Sequence, residues 1–319
     1  MSITIFIDQQ GLRLDKFLVA YLKDRSRSEI QKMIKFKIIT VNDKSVAPHY
    51  FLKAGDKVKI VEREIKTDKK IKAPKIIKQK IPKLKIVKET DDYLVIDKPA
   101  GIMVHPSEEG QDEKTLVDVL LKDFPQIAKI GEDPMRPGIV HRLDKEVSGL
   151  MIIAKSQSFF DYIKEQFQER KVKKIYTALA HGQIEADSDL INFPIKRSGS
   201  GYKMSALPYT VKGEKNPEGK TAITEFEVLK RFINFTLLEV KIKTGRTHQI
   251  RAHLAAYGHP LVGDKLYGTP KTKTKDKKFD LDRIFLAATE LSFFDLQDKK
   301  QEFKIKIPNN LNETLKKLK

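Results

Sequence analysis

The sequence has no cysteine among its 319 residues. Disulfide frameworks, zinc ribbons and thiolate nucleophiles all need cysteine sulfur, so these three kinds of chemistry are excluded together. The sequence also lacks any apolar run near the roughly 20 residues that cross a bilayer. Its start, MSITIFIDQQ, lacks the basic and long apolar parts of a secretion signal. We therefore expect a cytoplasmic protein that works with carboxylate, histidine and hydroxyl groups.

Acidic side chains are the minority among the charged residues. The 43 Asp and Glu face 62 Lys and Arg, which leaves a formal net charge of +19. Such a balance favours a polyanionic partner, with nucleic acid as the first candidate and an anionic membrane as the second. The alternative is a lysine-rich protein without such a partner, because lysine also serves solubility. The hydrophobic content of 40% is enough for one sizeable core and a smaller module.

The first 62 residues have the pattern of a small helical module. Apolar residues recur at the spacing of an amphipathic helix at Leu14, Phe17, Leu18 and Tyr21. Ser26 and Glu29 form a capping box that predicts the start of a second helix, whose outer face carries Arg27 and Lys32. The exposed face of this helix is therefore predicted to be cationic.

Two short strands are predicted after these helices. The stretches IITVN and DKVKIVE alternate like strands, and Asn42-Asp43 stands where a tight hairpin turn would lie. In order, RLDKFL, the SRS-led basic helix, VN followed by lysine, and AGD resemble an S4-type RNA-binding domain. This resemblance implies that Arg27 and Lys32 contact RNA.

Two further segments follow. Residues 63–83 are rich in lysine, contain Pro74 and Pro82, and have no clear period, which predicts a basic linker. From residue 84 to 319 the strand-like stretches LMIIAK, KKIYTALAHG and FTLLEVKIKT interleave with the helix-like stretches TLVDVLLKDF and FFDYIKEQFQER. We therefore expect an α+β domain on a mixed sheet.

The tetrapeptide RLDK occurs twice, with Asp15 in one copy and Asp144 in the other. Asp15 lies in the first turn of the first predicted helix, where an acid favours the positive end of the helix dipole, so we expect a structural role. Asp144 lies between Pro137-Gly138 and Ser148-Gly149, which places it in a loop before a strand. Neighbouring cations favour its ionised form, which suits a nucleophile or base, although a surface ion pair is the alternative.

A second dense stretch, TGRTHQIRAHLAAYGHPLVGDKLYG, supplies a partner for that carboxylate. A helix is predicted after Gly245, with Ile250 and Leu254 on its apolar face and Arg251 beside them. A guanidinium in this position can pair with a carboxylate such as that of Asp144, and an ordinary surface arginine is the alternative. The histidines of this stretch lack the spacing of a metal site.

The order of motifs resembles a known enzyme family. DDYLVIDKPAGIMVHPS, HRLDKEVSGL, KKIYTAL, TGRTHQIRAHL and GHPLVGD together resemble the RluA-type pseudouridine synthases, in the branch that carries an S4 domain and modifies large-subunit ribosomal RNA. The resemblance covers nearly the whole chain. It implies a largely antiparallel mixed sheet, RNA as the partner, a monomer without membrane contact, and no metal or other cofactor.

The resemblance also implies roles for particular residues. Asp144 matches the catalytic aspartate, Tyr176 the tyrosine that stacks on the target base, and Arg251 the arginine that pairs with the aspartate. Residues expected to contact the substrate RNA are His141, Arg142, Arg246 and His248. An aromatic platform suits a base that must be flipped out of the RNA stack. Whether the carboxylate attacks the ribose, attacks the ring or removes a ribose proton stays open, since each route needs the same group.

One position departs from the family pattern. The family usually has histidine in an LHA-like segment, whereas this chain reads RIFLAATELSF with Ala287 there. A non-catalytic RNA-binding or ribosome-assembly protein with a vestigial synthase site is therefore the alternative function. A hydrolase that uses Asp144 against a phosphate ester is a further alternative, which the lack of a DxD-like metal pair disfavours.

Overall fold

A computed structural model describes residues 2–4, 10–22, 30, 31, 33, 34, 36–48, 50–61, 84–106, 113–199, 203–208 and 219–318. The predicted capping box, Arg27, Lys32 and the predicted linker 63–83 lie outside these residues. The chain divides into two compact units, Met1–Lys75 and Ile76–Lys319. The domain bounds 1–62, 63–83 and 84–319 stay predictions. Within the described residues no helix has the length and apolar character that crossing a membrane requires.

The first unit packs helical residues on a small sheet. Its elements are β1 (Ser2–Thr4), α1 (Leu14–Tyr21), β2 (Ile39–Val41) and β3 (Lys57–Ile60). The strands pair antiparallel in the order β1-β3-β2. Leu14 and Leu18 of α1 are buried with Ile30 and Ile34, which belong to the predicted second helix. Tyr21 departs from the predicted apolar stripe, since it is the last residue of α1 and its side chain is exposed.

Two polar features of the first unit agree with the predictions from the sequence. Asn42 and Asp43 both have positive φ angles, 51° and 59°, and form the predicted tight turn. The side chain of Asp15 is fully buried and accepts hydrogen bonds from Arg13 at 2.9 Å and from Gln31 at 2.7 Å. Asp15 therefore links the start of α1 to the helical residues that follow, in keeping with its predicted structural role.

The second unit is built on one large sheet. Its strands are β4 (Lys85–Glu89), β5 (Tyr93–Lys98), β6 (Ser148–Ala154), β7 (Lys173–His181), β8 (Ser188–Ile191), β9 (Ile195–Arg197), β10 (Met204–Ala206), β11 (Thr224–Phe232), β12 (Phe235–Ile242), β13 (Leu286–Phe294) and β14 (Lys300–Lys304). Its helices are α2 (Leu116–Asp123), α3 (Gln157–Gln168), α4 (Gln249–Ala256), α5 (Pro270–Asp276) and α6 (Asn309–Lys316), with short 3-10 helices at Pro125–Lys129 and Lys277–Phe279. The strand order is β4-β5-β6-β13-β7-β12-β11-β8, with β14 added beside β13 and the pair β9-β10 separate.

The sheet is mixed and largely antiparallel, as predicted. Among the described strands, the pairing of β6 with β13 is parallel and the others are antiparallel. The continuous apolar run of β6 is buried on both faces: Met151 and Ile153 pack toward α2 and α4, whereas Leu150 and Ile152 pack toward α3. A strand covered on both faces provides a fixed support for the loop that precedes it.

The parallel contact between β6 and β13 requires glycine at one point. Gly149 has a φ of +123° and lies opposite Ala288, and a Cβ atom added to it would lie 2.2 Å from the carbonyl oxygen of Ala288. Arg283 holds the two strand starts together, because its guanidinium donates to the Ser148 hydroxyl and to the Leu286 carbonyl, each at 2.9 Å. The loop that contains Asp144 therefore leads into a tightly constrained strand.

We predict that Gly149→Ala destabilises the second unit by at least about 3 kcal/mol, because a side chain forces β6 and β13 apart and strains a left-handed backbone. Chemical denaturation measures this change. Gly199→Ala is the matched control, since a Cβ there meets nothing within 4 Å. Equal stability of the two variants would contradict the predicted constraint.

Candidate active site

An open cleft lies where the loop before β6 meets β7 and the start of α4. It is lined by the predicted site residues Arg142, Asp144, Tyr176, Arg246, His248 and Arg251. Of the other predicted residues, His141 lines a neighbouring groove, and Arg27 and Lys32 lie outside the described residues. Residues from three separate motifs thus meet in one place.

A buried lysine holds the loop that carries Asp144. Lys98 is fully buried, and its ammonium donates to the carbonyl oxygens of Pro99 at 2.8 Å, Ile102 at 2.9 Å and Lys145 at 3.4 Å. Burial above all lowers the pKa of Lys98 to about 7. Because its three acceptors are backbone carbonyls, Lys98 joins the 99–102 turn to the residue that follows Asp144 and orders the loop.

Arg251 is shared between two carboxylates. Its Nη1 lies 3.3 Å from Oδ2 of Asp144, while Nε and Nη2 donate to Asp264 at 2.8 and 2.9 Å. Burial opposes ionisation of Asp264, yet the Arg251 guanidinium and two backbone N–H donors hold its pKa below the usual value. Arg251 is thus fixed in orientation by Asp264, with one nitrogen left to face Asp144.

Two rings complete this side of the cleft. The Arg251 guanidinium lies over the Tyr267 ring at 5.1 Å, and the Tyr267 hydroxyl lies 3.1 Å from Nδ1 of His248. That hydroxyl also accepts the Met204 N–H at 2.8 Å, which fixes its position. His248 Nε2, on the other side of the ring, faces Oδ2 of Asp144 at 3.9 Å.

The imidazole of His248 is neutral near neutral pH. Burial lowers the pKa of His248, and the negative charge of Asp144 opposes this only in part. His248 also has a φ of 52° at the residue before α4, where non-glycine residues are uncommon. The left-handed backbone places its ring toward the cleft beside Asp144.

Tyr176 forms an aromatic wall of the cleft. It lies in β7, pairs with Val240 of β12 and is only 4% exposed. Burial, together with the negative charge of Asp144, raises the pKa of Tyr176, so the phenol stays protonated. The cleft therefore combines one carboxylate, one fixed guanidinium and an uncharged aromatic ring.

The remaining predicted residues take different positions. Arg142 is exposed at the rim, and Arg246 donates from Nε to the Thr221 carbonyl at 3.1 Å. His141 accepts the Ile152 N–H on Nε2 at 2.9 Å, and its ring packs on Phe167 at 5.0 Å. His141 thus anchors the loop to β6. Among the described residues, no group of three His, Asp or Glu side chains is placed to hold a metal ion.

The sequence patterns assign no role to Asp264 or Tyr267. Both lie in the stretch GHPLVGDKLYG, which contributed only its motif pattern. Asp264 is 1% exposed, and its two bonds to Arg251 are the closest contacts of that guanidinium. An acid within such an apolar, glycine-containing stretch is a signal for a buried ion pair, but only the fold shows which cation it meets.

The departure at Ala287 lies outside the cleft. Leu286 lines the cleft, whereas Ala287, the next residue of β13, is fully buried on the opposite face among Leu179, Val262 and Phe285. Successive residues of a strand face opposite sides of a sheet. The alanine therefore changes a core contact and leaves the wall of the cleft intact.

Comparison with known proteins places the chain in a family. Residues 92–256 match the family model described as RNA pseudouridylate synthase, and residues 12–58 match the S4 domain. An uncharacterized RNA pseudouridine synthase of Aquifex aeolicus is 41% identical over 265 residues, 82% of this chain and 78% of the relative. Ribosomal large subunit pseudouridine synthase D of Nitrosomonas europaea is 36% identical over 294 residues, 91% of this chain and 79% of the relative.

A solved structure gives the same result. Human RNA Pseudouridylate Synthase Domain Containing 1 has a TM-score of 0.55 and 27% identity, and the match covers 70% of this chain and 83% of the human chain. This chain therefore belongs to the RNA pseudouridylate synthase family. It is an RNA pseudouridine synthase with an S4 domain near its N-terminal end, which confirms the predicted resemblance and fold class.

The two carboxylates beside Arg251 are predicted to differ in their effect on stability. Asp264→Asn leaves a buried guanidinium without its paired charge, and we expect the free energy of unfolding to fall by about 3–5 kcal/mol. Asp144→Asn removes a single longer contact from a partly exposed carboxylate, and we expect a change of less than about 1 kcal/mol. Denaturant unfolding of both variants measures the difference. Similar losses would contradict the separate roles of the two acids.

Proposed function

We propose that this enzyme converts specific uridines of large-subunit ribosomal RNA to pseudouridine, with Asp144 as the catalytic carboxylate. The observation that carries the proposal is the contact of 3.3 Å between Asp144 and a fixed Arg251, in the cleft that Tyr176 also lines. The RNA class is suggested by relatives named ribosomal large subunit pseudouridine synthase D.

The reaction is an isomerisation. The N1–C1′ bond of uridine breaks, the base turns within the site, and a C5–C1′ bond forms. C5 then loses its proton and N1 gains one, so nothing is oxidised and no external group is consumed. Asp144 serves each of the three possible routes, as nucleophile toward the ribose, as nucleophile toward the ring, or as base toward a ribose proton.

Arg251 orients the carboxylate of Asp144. A hydrogen bond from a guanidinium to a carboxylate oxygen fixes the direction in which the carboxylate points. Because Asp264 occupies Nε and Nη2, Arg251 has only Nη1 for Asp144 and does not form a bidentate pair with it. Asp144 therefore keeps an oxygen for the substrate.

Tyr176 would receive the flipped base. A uridine must leave the RNA stack before its glycosidic bond is reached, and this costs a few kcal/mol of lost stacking. An aromatic ring in the cleft offsets this cost by about 1–3 kcal/mol per base. Arg142, Arg246 and His248 surround the same cleft and are proposed to contact the nucleotide.

The N-terminal module is proposed to dock the RNA. Residues 1–62 form the S4-type module, 63–83 the basic linker and 84–319 the catalytic domain. Arg27 and Lys32 of the module bind phosphate groups, which supplies affinity without sequence information. The enzyme acts as a monomer in the cytoplasm on RNA, without membrane contact.

The first test maps pseudouridine in ribosomal RNA from cells with and without the gene. We expect one or more large-subunit sites to lose the modification in the deletion and to regain it with the wild-type gene. Asp144→Asn is expected to restore none, because the amide lacks the charge and basicity that the reaction needs. Unchanged maps in the deletion would contradict the proposed function, and restoration by Asp144→Asn would contradict the assigned residue.

The second test concerns the N-terminal module. Arg27→Gln with Lys32→Gln is expected to weaken binding to a large-subunit ribosomal RNA transcript and to reduce the slope of log affinity against log salt by about 1 for each phosphate group that is no longer bound. Filter binding over a salt series measures both. Lys300→Gln with Lys316→Gln removes the same charge from the other unit as a control. An equal effect of the two pairs would show that only net charge matters.

A further inference from the structure

A second groove adjoins the catalytic cleft. We name it the basic groove, for its cationic lining residues Arg136, Arg142, Arg170, Lys174 and Lys243. Arg142 and Lys174 also line the cleft with Asp144, so the groove continues directly from the place of reaction. No carboxylate is among the described residues that line it. A concave surface with charge of one sign concentrates ligands of the opposite sign.

Most of this charge is not neutralised within the protein. Arg136 pairs with Asp133 at 3.1 Å and Lys243 with Glu225 at 3.2 Å. By contrast, Arg142, Arg170 and Lys174 form no ion pair with any residue that the structure describes. Three cations therefore face the groove without a carboxylate of their own.

Lys174 stands at the junction of groove and cleft. Its side chain is half-buried, and its ammonium lies 5.0 Å from the centre of the Phe167 ring. Burial lowers the pKa of Lys174 to about 8. A cation that is partly removed from water is stabilised by an arriving anion, because the anion replaces the interactions with water that burial has removed.

Arg170 occupies a backbone position that glycine favours. It follows α3 with a φ of 62°, and the next N–H, that of Lys171, bonds back to the Gln166 carbonyl at 2.8 Å. Helices that end in this way usually have glycine at the left-handed residue, because a Cβ atom is strained there. The chain instead keeps an exposed arginine that lines the basic groove. Strain kept at such a point suggests a use for the side chain.

We propose that the basic groove binds the phosphodiester backbone of the RNA strand on one side of the target uridine. The inference rests on the proposed function and extends it to the course of the strand outside the cleft. Guanidinium groups match phosphate oxygens with two parallel donors, and Lys174 adds a point charge beside the cleft. Backbone contacts fix the register of a nucleic acid on a protein without reading bases. The groove thus holds the strand while its uridine lies beside Asp144.

The decisive variant is Arg170→Gly, because it separates binding from folding. We expect Tm to rise, since glycine relieves the left-handed backbone. We also expect affinity for a large-subunit ribosomal RNA transcript to fall about fivefold to tenfold, as a charged hydrogen bond to phosphate is removed. The salt slope is expected to fall by about 1. If Arg170 does not contact RNA, the same variant raises Tm and leaves the affinity and the salt slope unchanged.

Two further variants control the result. Arg170→Lys keeps the charge and is expected to keep most of the affinity, whereas Lys316→Gln removes one charge outside groove and cleft and is expected to leave affinity nearly unchanged. If Arg170→Gly folds poorly, Arg170→Gln carries the same binding test. Wild-type affinity and salt slope in Arg170→Gly or Arg170→Gln would overturn the groove assignment. Pseudouridine formation by the wild type on the same transcript tests the proposed function separately.

Discussion

One buried guanidinium organises the catalytic half of this protein. Arg251 is held by two hydrogen bonds to Asp264 and contacts Asp144 with its remaining nitrogen. A buried charge is tolerated only when it is paired, so the fold must bring α4, the turn at Asp264 and the loop before β6 to the same point. The neighbouring features follow from this requirement: the Tyr267 ring covers the guanidinium, and the Tyr267 hydroxyl orients His248.

The scaffold beneath this pair restricts movement from two sides. Lys98 ties the loop after Asp144 to the turn at residues 99–102, and Gly149 lets β6 approach β13 more closely than any other residue allows. Both devices act on the backbone, one through carbonyl oxygens and the other through the missing Cβ. The carboxylate of Asp144 therefore projects from a loop whose two ends are set by main-chain contacts.

The sequence predicts much of this arrangement, for physical reasons that also explain what it leaves out. Periodicity predicts α2, α3 and the strands β6, β7 and β12, since each carries a regular apolar pattern. Motif order predicts that Asp144, Tyr176 and Arg251 share one cleft. The pairing of Arg251 with Asp264 depends on how close the turn at Asp264 lies to α4. The spacing of residues along the chain does not specify this distance. The orientation of His141 toward β6 likewise depends on a tertiary contact. The left-handed Arg170 belongs to a local helix end, but the sequence has no glycine there to indicate it.

The burial of β6 on both faces has a consequence for how the protein tolerates change. Residues 148–154 are all buried, so a new side chain there meets close packing on whichever side it faces. Arg142, Arg170 and Lys243 are instead found around the cleft and groove, at positions less buried than β6, where substitutions usually alter stability by no more than about 0.5 kcal/mol. The protein thus separates a closely packed strand beneath the cleft from a rim that can change with little effect on folding. Substitutions at the rim can therefore change the surface that the protein presents to RNA without destabilising the fold, whereas substitutions within β6 disturb the packing.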